Sequence, residues 1–145
     1  GGREGEGGGR AGAWRRLTGL GICCGRALEA YAPDGNEADR RAQVLARGAT
    51  HAGVTRGAEG YFWVANDGGS GRQPAFDIED VVDTTGAGDA FHGAFAWALA
   101  QGRSKAECAR IAAAASALKC RKLGARKGLP TASEVESFLG SQRSR

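Results

Sequence analysis

The pattern of apolar and polar positions predicts secondary structure along residues 36–140, beginning with an amphipathic helix. Asn36 is suited to cap a helix that continues through Arg47, and Gly48 follows as its end. The apolar residues that would share one face of this helix are Ala38, Ala42 and Leu45. This spacing places the three side chains along a single stripe, as expected for a helix that packs against a core.

Three strands are predicted after this helix. Residues 50–55 form the first, RGAEG turns the chain, and residues 61–65 (YFWVA) form a second strand rich in aromatic and β-branched side chains. Residues 66–74 have the composition of a loop. Residues 75–82 alternate enough between apolar and polar to predict a third, half-exposed strand.

Helical patterns take over in the last part of the chain. Helices are predicted over residues 86–102, from residue 104 to about residue 122, and over residues 131–140. Two capping boxes mark helix starts, at Ser104 with Glu107 and at Thr131 with Glu134. The predicted order of one helix, three strands and three helices indicates an α/β or α+β domain.

The composition changes how the ends of the chain are interpreted. Ten of the 25 glycines lie within residues 1–25, so residues 1–30 are predicted to be a disordered Gly/Arg-rich lead. The domain is then expected over residues 36–140, with residues 141–145 as a tail. The 145 residues contain no methionine, which leads us to expect a fragment of a longer chain.

Charge and cysteine usage exclude several classes of protein. The net charge is only +4 and no basic module with interleaved aromatic residues is present, so nucleic acid is not expected as a partner. No apolar run has the length of a membrane span, so no membrane association is expected. The four cysteines form no CxxC pair, which gives no metal framework and makes a reducing, cytoplasmic location the default.

The most informative segment is VVDTTGAGDAFHGAF at residues 81–95. Two apolar residues lead into it, GAG lets the backbone approach a ligand closely, and a helix begins there, so its N–H groups can bind an anion. Asp89 in the first turn could accept a proton from a hydroxyl that attacks a bound phosphate. The alternative is a glycine turn followed by an Asp that only complements the helix dipole.

The whole string closely resembles the C-terminal signature of the PfkB carbohydrate kinases, the ribokinase-like family. The resemblance extends upstream to VTRGAEG at residues 54–60 and downstream to ALKCRKLGARKGLPTASEVESFL at residues 117–139. It implies an α/β, ribokinase-like fold of Rossmann-like three-layer type, present as its C-terminal portion with an incomplete sheet. It also implies phosphorylation of a sugar hydroxyl, with ATP and Mg²⁺ as cofactors, K⁺ as a further one, and a sugar or sugar-like acceptor as partner.

The resemblance implies a role for individual residues. The catalytic base would be Asp89. The anion hole would be formed by Gly86, Ala87 and Gly88. The nucleotide-lining turn would contain Thr55, Gly57 and Gly60. A monovalent cation would be bound by Asp83 and Thr85, and the backbone carbonyls that complete its site would come from Lys119, Lys122 and Gly124.

Two departures from the family pattern stand out. The family's magnesium-associated N-x-x-E motif corresponds only to Asn36-Glu37-Ala38-Asp39, which we interpret first as a helix cap. The family's N-terminal half, which supplies most of the sugar contacts, has no counterpart, so the acceptor is not specified; a fructose-like or related hexose is the family-level expectation. The second hypothesis is therefore a truncated, non-catalytic remnant that binds nucleotide or a partner.

Other motifs add little. Neither a Walker A sequence nor a nucleophile elbow is present, which argues against P-loop kinases and serine hydrolases. His51, Trp63 and Trp97 are interpreted as packing residues, and His92 as a helix residue that packs near the nucleotide site. We expect little activity from this chain alone, and an exposed sheet edge that favours association.

Overall fold

The structure of the chain, a computed structural model, describes residues 19–143. Its strands are β1 (Leu20–Cys24), β2 (His51–Thr55), β3 (Tyr61–Ala65) and β4 (Ser70–Gln73). Its helices are α1 (Gly25–Tyr31), α2 (Glu37–Ala46), α3 (Ala87–Ala100), α4 (Lys105–Cys120) and α5 (Ala132–Arg143), with one 3₁₀ turn at Gly57–Glu59. None of the helices in this described range is both long and apolar enough to cross a membrane.

The described residues form two compact units. The first comprises residues 19–56 and 62–72, and it holds α1, α2 and most of the sheet. The second comprises residues 57–61 and 73–143, and it holds α3, α4 and α5.

The four strands form one sheet in the order β1-β2-β3-β4. β1 and β2 are parallel, with Leu20 opposite His51 and Cys24 opposite Thr55. Parallel neighbours require a crossover, which α1 and α2 provide. Residues 51–54 are all buried, as is typical of a central strand covered on both faces.

The core of the first unit lies between this crossover and the sheet. Its buried side chains are Leu28, Val44, Ala49, Ala52 and Val54. Partly buried side chains pack around them, namely Cys23, Tyr31, Leu45, Phe62 and Val64. Burying each Leu or Val side chain of this set stabilises the unit by about 1.5–3 kcal/mol.

The prediction for α2 is correct in its bounds and wrong in its buried face. Asn36 caps the helix as expected, but Ala38 and Ala42 are exposed, while Val44 is buried and Leu45 is half-buried. The inward stripe includes Arg40, which is half-buried. A long Arg side chain can cover apolar surface with its methylene groups, so a pattern built on alanines selected the wrong stripe.

The prediction of a disordered lead is wrong for residues 20–30. Leu20–Cys24 forms a strand and Gly25–Tyr31 forms a helix. The short apolar run LGICC is stabilised by its pairing with β2, a partner about thirty residues away that local composition does not reveal. Residues 1–18, the rest of that predicted lead, and residues 144–145 of the predicted tail lie outside the described residues.

Two further strand predictions are wrong. Residues 70–73, predicted to lie in a loop, form β4 beside β3, where the rings of Trp63 and Phe62 lie near Gly71 and Arg72. Residues 75–82, predicted as a strand, are not extended in any sheet of the described chain, and Val81 is 56% exposed. The polar segment 70–73 is therefore stabilised as a strand by side chains of the neighbouring strand β3. The alternating segment 75–82 has no neighbouring strand to pair with and stays irregular.

Small and aromatic side chains build the core of the second unit. The faces between α3 and α4 are rich in alanine, with residues 112–115 buried, and this allows the two helices to approach closely. The Tyr61 ring lies 4.9 Å from that of Phe91 and 6.0 Å from that of Phe95. Phe76 meets Phe138 of α5 edge-on at 5.3 Å.

The helix starts of the second unit are predicted better than the ends. The capping box of Ser104 and Glu107 is present, and Thr131 accepts the N–H of Glu134. α4 ends at Cys120 rather than at about residue 122, and α5 continues through Gly140 because a single exposed glycine does not end a helix that is anchored by packing. Trp97, expected to pack, is 44% exposed.

Candidate functional site

The loop that leads into α3 is fixed to the end of α4. The N–H groups of Val82 and Asp83 both donate to the carbonyl of Cys120, at 2.8 and 3.1 Å. The N–H of Val82 is therefore not available to a strand over residues 75–82. They hold residues 82 and 83 in place just before the GAG turn.

Gly86 is the N-cap of α3 and has a conformation that favours glycine. Its φ is +80°, in the left-handed region. A Cβ placed on Gly86 would lie 2.9 Å from the Cβ of Ala125. Backbone conformation and close packing therefore both select glycine at this position.

The turn leaves several N–H groups available at the start of α3. Gly86, Gly88 and Asp89 have no hydrogen-bond acceptor for their N–H groups anywhere in residues 19–143. The N–H of Ala87, in contrast, donates to the carbonyl of Thr84 at 3.1 Å. Of the predicted anion hole, Gly86 and Gly88 therefore keep available N–H groups and Ala87 does not, while the N–H of Asp89 is a further available donor.

Gly88 differs from Gly86 in what its environment requires. Its φ is not positive, and apart from its chain neighbours and the backbone of its own helix a Cβ placed on it would meet no atom within 4 Å. Neither strain nor packing within the described chain therefore explains a glycine at the first turn of α3. Without a Cβ at position 88, a phosphate can approach the available N–H groups closely. The positive end of the α3 helix dipole also favours an anion there.

Asp89 lies in the first turn of α3 and is exposed. No residue in the range 19–143 makes a hydrogen bond or ion pair with its carboxylate. Three residues on, Nδ1 of the exposed His92 lies 2.7 Å from the carbonyl oxygen of Gly88. Because a carbonyl only accepts, Nδ1 is the donor in this hydrogen bond, and the contact ties the His92 ring to the first turn of α3.

Asp83 and Thr85 come together with the loop that follows α4. One carboxylate oxygen of Asp83 accepts the N–H of Thr85 and the other accepts the N–H of Gly124, each at 2.9 Å. Hydrogen bonds from the side chain and backbone of Thr85, and then from Gly124, hold the pKa of Asp83 well below its usual value. Asp83 therefore stays ionised and connects the loops at residues 83–86 and 121–128.

The side chain of Lys119 enters this same cluster. Its ammonium is fully buried and donates to the carbonyls of Asp83 and Lys122, at 2.9 and 3.1 Å. The nitrogen lies 3.8 Å from the Asp83 carboxylate. Sequence reasoning assigned only the backbone of Lys119, although its spacing of seven and four from the buried Ala112 and Ala115 places it on the inward face of α4.

The predicted nucleotide turn divides between the two units. Thr55 ends β2 in the first unit, whereas Gly57 and Gly60 belong to the second. Both glycines have positive φ, and the N–H of Gly60 donates to the carbonyl of Gly57 at 3.1 Å. A Cβ on Gly60 would lie 2.9 Å from the backbone nitrogen of Ala75, so the turn itself requires these glycines.

The Asn36 segment acts as a helix cap, as interpreted from the sequence. The Asn36 side chain accepts the N–H of Asp39, and the Asp39 carboxylate accepts the N–H of Asn36, both at 2.9 Å. Glu37 forms an ion pair with Arg56. Both carboxylates of this segment thus have a partner within the first unit, and no group of three or more potential metal ligands occurs within residues 19–143.

Comparison with known proteins matches the chain to one family model and to several relatives. The model of the pfkB family carbohydrate kinases matches residues 18–132. Ribokinase of Lactococcus lactis is 45% identical over 87 residues, which are 59% of this chain and 28% of that protein. Ribokinase of Bacillus subtilis is 48% identical over 66 residues, or 46% of this chain and 22% of that protein. The chain thus spans less than a third of these curated relatives.

Solved structures agree with the sequence matches. The crystal structure of Thermotoga maritima ribokinase has a TM-score of 0.77 and 31% identity, and covers 83% of this chain and 42% of its own. The structure of Arabidopsis thaliana ribokinase complexed with ribose and ATP has a TM-score of 0.78 and 30% identity, and covers 83% and 40%. The predicted ribokinase-like fold is therefore confirmed as a partial one.

Proposed function

The chain belongs to the pfkB family of carbohydrate kinases, and on that premise we propose that it carries the phosphoryl-transfer part of an ATP-dependent sugar kinase. In this proposal ATP donates its γ-phosphoryl group to a sugar hydroxyl. Gly86, Gly88 and Asp89 supply N–H groups to the phosphate, and the carboxylate of Asp89 accepts the proton of the attacking hydroxyl.

The observation that carries the proposal is the start of α3. Three backbone N–H groups without acceptors in the described chain lie beside a glycine whose Cβ would point into open space. A carboxylate that is engaged by no described residue follows immediately. Phosphoryl transfer needs an anion site next to a proton acceptor, and this turn offers both within four residues.

Each group has a defined task in the transfer. Negative charge on the transferring phosphoryl oxygens is stabilised by N–H groups that are already oriented, since Gly86 and the Asp83 contacts fix the turn before any ligand binds. The Asp89 carboxylate takes the hydroxyl proton as the new P–O bond forms and the bond to the leaving ADP oxygen breaks. The magnesium ion would be held by the phosphates and water rather than by Asn36 and Asp39, whose side chains form the helix cap.

The sugar that accepts the phosphoryl group is inferred from the relatives. The relatives in Lactococcus lactis and Bacillus subtilis are ribokinases, and the Arabidopsis ribokinase structure contains ribose and ATP. We therefore propose ribose, an aldopentose, ahead of the fructose-like hexose expected from the family alone. The likeness covers only the phosphoryl-transfer part, so ketoses and nucleosides belong in the same assay.

The test is ATP consumption by the chain with ribose, fructose and nucleosides in turn. Asp89→Asn keeps the shape and removes the proton acceptor, so the low turnover expected of this chain should fall by at least about 100-fold in kcat. Asp80→Asn is the matched control, because Asp80 is an exposed carboxylate outside the turn, and its activity should be unchanged.

A second readout separates the enzyme from the remnant hypothesis. ATP should raise the midpoint of thermal unfolding of the native chain and of Asp89→Asn alike. A thermal shift by ATP without sugar-dependent turnover would favour the non-catalytic, nucleotide-binding remnant. Absence of both would overturn the proposed function for this chain.

A further inference from the structure

The buried ammonium of Lys119 lies in a cluster of oxygen atoms next to residues 84–89, the turn proposed to bind phosphate and called the phosphate turn below. Its nitrogen has two backbone carbonyl oxygens at hydrogen-bond distance, those of Asp83 and Lys122, and the Asp83 carboxylate at 3.8 Å. The side chain has no exposed surface. A fully buried charge is stable only where such partners replace its hydration.

This oxygen set overlaps the one expected to bind a monovalent cation. The resemblance assigned Asp83 and the backbone carbonyl of Lys122 to that ion, and both now accept hydrogen bonds from Lys119. An ammonium group carries a single positive charge and is a compact point charge, like a bound alkali ion. A potassium ion bound to the same oxygens would meet the ammonium at close range and be repelled.

The chain also provides room for the lysine head group. Gly128 lies against it: a Cβ placed on Gly128 would be 3.0 Å from Cε of Lys119 and 3.4 Å from Nζ. The φ of Gly128 is not positive, so conformation alone does not select glycine there. Glycine at position 128 is explained by the space that the lysine side chain needs, together with the nearby carbonyl of Gly124.

We propose that the Lys119 ammonium is a built-in cation, which takes the place of a bound monovalent ion beneath the phosphate turn. Lys119 is then a positioning residue: it ties the Asp83 carbonyl to the loop after α4 and so fixes the backbone that leads to Gly86. The K⁺ expected from the sequence does not fit this chain, because the ammonium already lies against two of the residues expected to bind the ion, Asp83 and Lys122. The inference rests on the proposed function only in that this turn is the one assigned to phosphate.

The test measures thermal unfolding without nucleotide, so its outcome does not depend on kinase activity. The native chain should have the same midpoint in KCl and in LiCl at equal ionic strength. Lys119→Ala exposes the oxygen cluster, and K⁺ should then raise its midpoint by about 2–4 °C relative to Li⁺. Lys122→Ala is the matched control, since it also removes one positive charge but from a half-exposed side chain paired with Glu134, and it should show no such ion preference.

Two results would overturn the proposal. One is a K⁺-selective stabilisation of the native chain, and the other is a folded Lys119→Ala chain that does not distinguish K⁺ from Li⁺. If that variant fails to fold, ¹H–¹⁵N spectra of the lysine ammonium groups of the native chain decide. One slowly exchanging ammonium signal, unchanged when K⁺ replaces Li⁺, is expected; its displacement by K⁺, or its absence, would contradict a built-in cation.

Discussion

Gly88→Ala should separate ligand binding from folding at the phosphate turn. A Cβ on Gly88 meets no atom within 4 Å and the residue lies in the first turn of α3 without a positive φ. Alanine costs less backbone entropy than glycine in a helix, so the variant should gain about 0.5–1 kcal/mol in the free energy of unfolding. For a chain of this size the midpoint should rise by about 2–4 °C.

The same methyl group should harm phosphate binding. It would stand where the proposed phosphate approaches the N–H groups of Gly88 and Asp89, so the ligand is displaced by a substantial fraction of an ångström or more. A displacement of about 1 Å at a reacting group costs about 100-fold in rate. We expect Gly88→Ala to lose that much in kcat/KM with the best sugar, and to lose its thermal shift by ATP.

Gly93 within α3 and Gly86 at its N-cap supply the comparison. Gly93 lies in the middle of α3 with open space at its Cβ, so Gly93→Ala should gain similar stability and keep its ATP response. Gly86→Ala should unfold several degrees lower, because a left-handed residue costs about 1–2 kcal/mol and its Cβ would crowd Ala125 at 2.9 Å. The assay is thermal unfolding with and without ATP, beside initial rates. If Gly88→Ala and Gly93→Ala respond alike to ATP, the phosphate does not bind at this turn.

Three further predictions concern the pKa shifts and the helix caps. The fold lowers the pKa values of Asp83 and Glu134 from 3.8 and 4.5. Their ionised forms therefore stabilise the fold above these values, and this stabilisation is lost as the pH falls below them. Thermal midpoints measured between about pH 6 and pH 2 should drop more steeply for the native chain than for Asp83→Asn. Burial raises the pKa of Cys23 to about 11, whereas Cys24 is exposed. Iodoacetamide at neutral pH should therefore label Cys24 before Cys23, as measured by peptide mass analysis. Equal labelling of the two cysteines would contradict the packing of β1. Ser104→Ala removes the cap of α4 and should cost about 1 kcal/mol in urea unfolding, whereas Ser104→Asp should retain most of that stability.

Helix starts were predictable because their signals are local. The caps at Asn36, Ser104 and Thr131 each depend on a side chain and an N–H three residues later, and all three are present. β1 was missed because its partner strand, β2, lies about thirty residues further along the chain. β4 directly follows its partner β3, and it was missed because its polar residues SGRQ show no strand pattern. Glycines in and around both segments made them look less like strands. In β4, however, Gly71 is explained by packing, since a Cβ there would collide with the Trp63 ring.

The candidate site shows the same limit. The motif correctly predicted that α3 begins at a glycine turn, since Gly86 has the positive φ that such a turn requires. It did not reveal that the N–H of Ala87 is used by Thr84, because that depends on the exact torsions of the turn. It also gave Lys119 only a backbone role, because whether a long side chain extends to solvent or folds back onto carbonyls is decided by tertiary contacts.

The two aspartates of DTTGAGD, Asp83 and Asp89, differ in their contacts: Asp83 is held by hydrogen bonds, and Asp89 is exposed. This difference explains how a glycine-rich segment can form an ordered turn. Glycine at positions 86 and 88 permits close approach to a ligand but raises the entropy lost on ordering the turn. Asp83 offsets that loss, since it binds two backbone N–H groups from different loops and lies next to the buried Lys119 ammonium. Asp89, six residues later, makes no such contact in the described chain and remains exposed. Asp89 is thus left available to accept a proton in the proposed transfer while Asp83 orders the turn, so Asp83→Asn should weaken the proposed phosphate binding even though Asp89 is intact.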